Sequence, residues 1–233
     1  MDLIKENMKD NQHHHHPVDC CCSHVISNSE TKLTDSQRRI KRLSSHLNRN
    51  ATDSKTAITF TPYSEQEAAK YIEMYGEEWG EDLALRCYTS HLIGRDPNLV
   101  LHGGGNTSVK LDDNRMAIKA SGIPLKFMNI EGGFSVVDYE KVNKYHCSPD
   151  SSEDKYSESI ASFAINSNAK PSIETGFHAL LGEYVIHTHS VFLNVLLCAK
   201  EGKDLILEYF PESIWVDYFT PGKDLTLAIK KSL

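Results

Sequence analysis

The stretch "EYVIHTHSVFLNVLL", Glu183 to Leu197, decides how this chain is read. A nearly unbroken apolar run of this kind, rich in β-branched residues at its start, reads as a buried strand leading into a buried helix. Only His187 and His189 interrupt it. Residues i and i+2 of a strand face the same side, so the two imidazoles are expected next to each other. A buried neutral imidazole needs hydrogen-bond partners, and two in one strand double that need. Such a pair can be two ligands of one ion, since zinc accepts imidazole nitrogen and takes four ligands in all. It can equally be a pair of packed core histidines. The pair alone leaves both readings open.

Upstream of the strand, "PSIETGFHALL" reads as a helix with Ser172 just before it and Glu174 in its first turn. The helix dipole favours a carboxylate there, which is a sufficient structural reason for it. His178, one turn on from Glu174, reads as a core or supporting histidine. Further upstream, "LHGGGNTSVK" reads as a glycine turn between two strands. Gly103, Gly104 and Gly105 permit positive φ and close approach of backbone to a ligand. Successive amides in such a turn form an anion nest, with Asn106, Thr107 and Ser108 adding donors. It is neither a Walker A loop nor a dinucleotide fingerprint, because no Gly-Lys-Ser/Thr follows and "TSVKL" reads as a strand. A plain hairpin is the competing reading. "KASGIP" is a second short loop after a strand, with Ser121 and Gly122 able to donate to an anion.

The rest of the chain supplies the frame. "TPYSEQEAAKYIEMYGEEWG" opens a helix with Ser64 as N-cap and Glu67 three residues on. "EDLALRCYTSHLIG" repeats apolar residues at helical spacing up to Gly94, read as its stop. "NLVLH", "RMAIK", "GGFSVVD" and "SIWVDYF" read as strands, and "DYEKV", "DLILEYF" and "KDLTLAIKKSL" as helices. The alternation without strict βαβ spacing predicts an α/β domain over residues 61–233, layered around a central mixed sheet flanked by helices. Residues 1–60 differ in composition. They hold His13 to His16, the Cys20–Cys22 triplet and a polar segment with a short basic helix possible in 35–48. With few large apolar side chains they are expected to form a disordered tail.

Composition narrows the function. The 233 residues carry a formal charge of −7, which argues against general binding to nucleic acid or to anionic membranes. No apolar run approaches the roughly 20 residues that span a bilayer, and "MDLIKENMKDNQ" has no apolar signal core. The expected location is the cytoplasm. The six cysteines are three in a row and three scattered, which is neither a disulfide framework nor a zinc knuckle.

Taken in order, the glycine loop with Asn106, the Ser121–Gly122 loop, the Ser172-x-Glu174 helix start and the His187-x-His189 strand resemble the class II aldolase/adducin family. The wording "YTSHLIGRDPNLVLHGGGNTSVK", "KASG", "PSIET", "HTHS" and "YFTPGKDL" is most similar to its rhamnulose-phosphate aldolase/short-chain dehydrogenase subgroup. The resemblance implies a three-layer class II aldolase-like fold and a metal-dependent lyase that cleaves a phosphorylated ketose, such as rhamnulose or fuculose phosphate. It implies Glu174 as general acid/base and His187 and His189 as ligands of Zn2+ or another divalent ion. Gly104, Gly105, Asn106, Ser108, Ser121, Gly122 and Ser172 would hold the substrate phosphate. A homo-oligomer is expected from the same source. A non-catalytic adducin-like domain, an inactive fragment, or an epimerase or dehydratase on the same metal site are the alternatives. The family's third histidine ligand lies in a His-Gly stretch well after the Pro-Gly pair, and no histidine follows His189 here. The chain is therefore expected to be C-terminally incomplete, with no dehydrogenase portion.

Overall fold

Ser64 takes an extended backbone (φ −129°, ψ 118°), and its hydroxyl accepts from the amide of Glu67 at 3.3 Å. That cap opens α1, Glu65–Trp79, as the sequence predicts. The reciprocal half of a capping box is supplied from elsewhere, because the Ser64 amide donates to the Tyr88 hydroxyl at 2.9 Å. The computed structural model describes residues 63–111, 114–148, 155–165 and 169–233. The tail predicted over 1–60, with its His and Cys tracts, lies outside them.

After α2, Glu81–Arg95, come strands β1, Asn106–Lys110, β2, Arg115–Lys119, and β3, Phe134–Asp138. Helices α3, Tyr139–His146, α4, Tyr156–Ser162, and α5, Thr175–Leu180, precede β4, Tyr184–His187. Helices α6, Val191–Leu197, α7, Gly202–Tyr209, and α8, Lys223–Ser232, complete the described chain. The sheet has the order β3-β2-β1-β4, and each pairing in it is antiparallel. Alternate residues of β2 feed opposite cores. Ala117 packs with Val109 under Leu83, Ala84 and Cys87 of α2. Met116 and Ile118 face Val142 of α3, Tyr156 and Ile160 of α4 and Ala179 of α5. Helices thus cover both faces, which is the expected three-layer α/β architecture, but the described sheet at its centre is antiparallel throughout and not mixed. Each fully buried side chain such as Met116 or Ile118 contributes roughly 1.5–3 kcal/mol.

Several local expectations are corrected. Gly94 does not stop α2, which runs on to Arg95; a Cβ there would collide with the backbone of Leu125 and Lys126, so the glycine serves close approach to the 3₁₀ turn Leu125–Phe127. "NLVLH" is a turn, held by the Asp96 carboxylate accepting from the Asn98 amide at 2.8 Å. Helix α6 forms, with Ser190 capping it, but only Leu196 is buried, and Val191, Phe192 and Val195 are exposed. "SIWVDYF" has no regular structure, because no described strand lies beside it to complete a ladder. Among the described residues no helix is long and apolar enough to cross a membrane.

Candidate functional site

The register of β1 on β4 sets Asn106 opposite His187, so both side chains share one face at the end of the sheet. Glu174 reaches that point from the start of α5. The structure puts it at the position just before the helix, one residue earlier than predicted. Its amide donates to the Ser172 hydroxyl at 3.2 Å, and the Thr175 hydroxyl donates to the Ser172 carbonyl at 2.5 Å. These bonds fix the turn and aim the carboxylate. The Asn106 amide group donates to Oε2 of Glu174, and Nδ1 of His187 lies 3.3 Å from the same oxygen. Burial pushes the Glu174 carboxyl up. Attraction from the nearby His187, then from His189 and Lys119, outweighs that and holds it below the ordinary carboxylate value. Glu174 is an ionised, largely buried carboxylate.

His187 ends β4 and His189 lies just past it, yet the two rings remain adjacent, with centroids 4.8 Å apart at 57°. Burial and the neighbouring His187 keep the His189 imidazole below its usual pKa, against the pull of Glu174. It is neutral at pH 7 and has a lone pair to offer. Phe177 meets His187 edge-on at 5.5 Å and stacks on His178 at 4.8 Å. His178 is fully buried, and its Nδ1 is 2.8 Å from the Ser108 hydroxyl, which latches α5 to β1.

The phosphate residues implied by resemblance range from buried to exposed. Gly105 has φ 75°, and a Cβ on it would sit 2.6 Å from Cγ1 of Val100 and 2.9 Å from the His187 carbonyl. A Cβ on Gly104 would lie 2.9 Å from Nδ1 of His189. The glycine turn therefore packs directly on the histidines. Asn106 is buried and bonded to Glu174. Ser108 corrects its expectation: it is fully buried and engaged with His178, a contact that a strand pointing it inward makes inevitable. Ser121 and Gly122 form an exposed turn, joined to the Ser172 segment by the Ala120–Pro171 bridge and by the Ser121 amide donating to the Lys170 carbonyl at 2.8 Å.

Two residues that the sequence left without a role matter here. Lys119 is a buried lysine one residue before the Ser121–Gly122 turn, and its visible signal is a charge ending a strand whose middle, Met116 to Ile118, is apolar. His146 contacts the Tyr156 hydroxyl at 3.0 Å, beside Thr226 and over Gly176, which backs α5.

For a divalent ion the donor set is a partial fit. Nδ1 of His187 is buried without a hydrogen-bond partner, because the nearby Glu174 oxygen has ion-pair distance but not hydrogen-bond geometry. His189 stands beside it. Among the described residues no group of three or more His, Cys, Asp or Glu side chains is disposed to hold a metal. The residues suit an ion carried on two imidazoles, with the remaining positions left to other donors.

Comparisons with known proteins bear on the family and the fold. The sequence model of the Class II Aldolase and Adducin N-terminal domain matches residues 84–233. The uncharacterized oxidoreductase YuxG of Bacillus subtilis is 32% identical over 159 residues, covering 63% of this chain and 23% of that protein. Methylthioribulose-1-phosphate dehydratase of Pectobacterium atrosepticum is 33% identical over 110 residues, 45% of this chain and 43% of its own length. The chain thus spans less than half of either relative. The N-terminal class II aldolase domain of a conserved protein from Thermoplasma acidophilum superposes with a TM-score of 0.57 at 26% identity, over 65% of this chain and 77% of that one.

Proposed function

The chain belongs to the class II aldolase and adducin family, and from that premise we propose a metal-dependent lyase domain that cleaves a phosphorylated ketose by retro-aldol chemistry. The observation that carries this reading is the Glu174 carboxylate, ionised and held between the Asn106 amide and His187 beside a second imidazole. In such a cleavage the C4 hydroxyl loses its proton and the C3–C4 bond breaks. The electron pair passes to an enediolate on the phosphate-bearing fragment, and a proton returned to C3 gives dihydroxyacetone phosphate. A positioned carboxylate is suited to carry that proton. A divalent ion such as Zn2+ on His187 and His189 would supply polarisation of the ketose oxygens. Gly104, Gly105, Asn106, Ser121, Gly122 and Ser172 remain the residues assigned to the phosphate.

The test is release of dihydroxyacetone phosphate from rhamnulose 1-phosphate or fuculose 1-phosphate with Zn2+ supplied. Glu174→Gln should lower the rate about 100-fold or more, the scale of a lost general acid/base. A second reading, dehydration of a sugar phosphate, is favoured by the similarity to methylthioribulose-1-phosphate dehydratase. It predicts a product one water lighter with no carbon–carbon cleavage. Failure of the wild type to form either product would overturn both readings.

A further inference from the structure

Strand β1 and helix α5 meet at two polar contacts. The Asn106 amide group donates to Glu174, and the Ser108 hydroxyl lies 2.8 Å from Nδ1 of His178. The two contacts are spaced alike on both elements. Residues 106 and 108 share one face of the strand and stand about 6.8 Å apart along it. Residues 174 and 178 are one helical turn apart, a rise of about 6 Å. The contacts therefore form two matched rungs between strand and helix, one at the candidate site and one behind it. The rung behind is costly. Ser108 and His178 are fully buried, and Nε2 of His178 has no hydrogen-bond partner among the described residues. A buried polar atom left unpaired costs about 1–3 kcal/mol, and replacing such a pair by apolar groups of the same shape can be neutral or stabilising. Burial, then the charges of His187 and Arg86, keep the imidazole neutral at pH 7, so no ion pair offsets that cost. Stability alone gives no reason for a histidine here. Geometry supplies one. Helix α5 has only six residues, and its buried Phe177 and Ala179 pack on apolar neighbours. Apolar contacts are non-directional, whereas a hydrogen bond fixes both distance and angle.

We propose that the Ser108–His178 hydrogen bond positions Glu174: it sets the rotation and depth of α5 on β1, and so holds the carboxylate at the Asn106 amide group and His187. The catalytic consequence rests on the proposed lyase reading, in which Glu174 carries the proton; the positioning itself does not. Ser108 and His178 touch no substrate in this scheme and act through Glu174. The leverage is large, since a reacting group displaced by about 1 Å can lose on the order of 100-fold in rate.

The test separates position from stability. The side-chain amide signal of Asn106 in nitrogen–proton correlation spectra reports the carboxylate it bonds, and Glu174→Gln gives its position once that charge is gone. Urea midpoints are measured in parallel. Ser108→Ala and the apolar pair Ser108→Ala/His178→Leu should both move the signal most of the way to its Glu174→Gln position, although the apolar pair should unfold no earlier than wild type. His178→Asn, whose shorter amide group stands near the place of Nδ1, should keep the signal near that of wild type. A wild-type signal in folded Ser108→Ala would overturn the proposal and leave the pair as core packing; this variant carries the measurement if the apolar pair does not fold. A signal displaced in His178→Asn as far as in the apolar pair would overturn it too, by tying Glu174 to the shape of the imidazole rather than to its bond. With a sugar phosphate as substrate, Ser108→Ala should lower kcat about 10- to 100-fold with KM little changed, and should add no further loss to Glu174→Gln. Full additivity of the two substitutions would overturn the proposal. A wild type that releases no product would overturn the lyase reading, while the Asn106 signal still decides the positioning.

Discussion

Two short glycine turns stand at the same end of the sheet, and they obey different physics. The Gly103–Asn106 turn is closed. Val100, the His187 carbonyl and the His189 ring occupy the space where side chains at Gly104 and Gly105 would go. The Ser121–Gly122 turn is open, with positive φ at Gly122 but no atom near its missing Cβ. In the first turn packing demands glycine; in the second only the backbone angle does. The closed turn therefore supports the histidines, and the open one is free to meet a ligand.

The sharpest way to break this contrast is Gly105→Ala, which combines a left-handed backbone angle with a collision against Val100 and the His187 carbonyl. It should cost about 2–4 kcal/mol, read as a lower urea midpoint. A midpoint within error of wild type would show that the turn is not closed.

Gly104→Val comes next. Its side chain would meet the His189 ring, so Zn2+ retention should fall along with about 1–3 kcal/mol of stability. Taken from the sequence, turn and histidines look like separable devices for an anion and an ion; the structure couples them. Zn2+ content equal to wild type in the folded variant would uncouple them again.

Gly122→Ala should be milder, about 1 kcal/mol from the positive φ alone, with Zn2+ retention unchanged. A loss as large as that of Gly105→Ala would mean that the open turn is packed after all.

The smallest effect tests the support common to both turns, the back of α5. Burial holds His146 below the ordinary histidine value of 6.5, helped by the charges of Lys230 and Lys223 and opposed by the Val142 carbonyl. As pH falls below 6.5 the unfolded chain takes up this proton first. The stability is thus fully present above 6.5 and is lost as pH falls through the depressed folded value. His146→Gln should flatten urea midpoints between pH 7.5 and 5.5 by up to about 1 kcal/mol, with His91 and His178 continuing to act in the same direction. An unchanged slope would remove His146 from the account.

Signals confined to a few neighbouring residues are legible in the sequence. The Ser64 cap, the helical periodicity of α2, the adjacent placement of His187 and His189, and Glu174 beside the start of α5 all depend on local geometry with a period of 2 or 3.6. The α/β class and its layers follow from the same patterns. Whatever depends on what a segment meets is not written in that segment. Gly94 looks like a helix stop and is a contact point because the 3₁₀ turn crosses it. Ser108 looks like an anion donor and is a partner of His178 because strand parity turns it inward. "SIWVDYF" has strand composition, but a strand exists only where another strand offers its hydrogen bonds. By itself the sequence determined which short elements form and which polar side chains stand in them. The tertiary structure alone decided which donors those side chains face, because burial, pairing and close approach are set by residues distant in the chain.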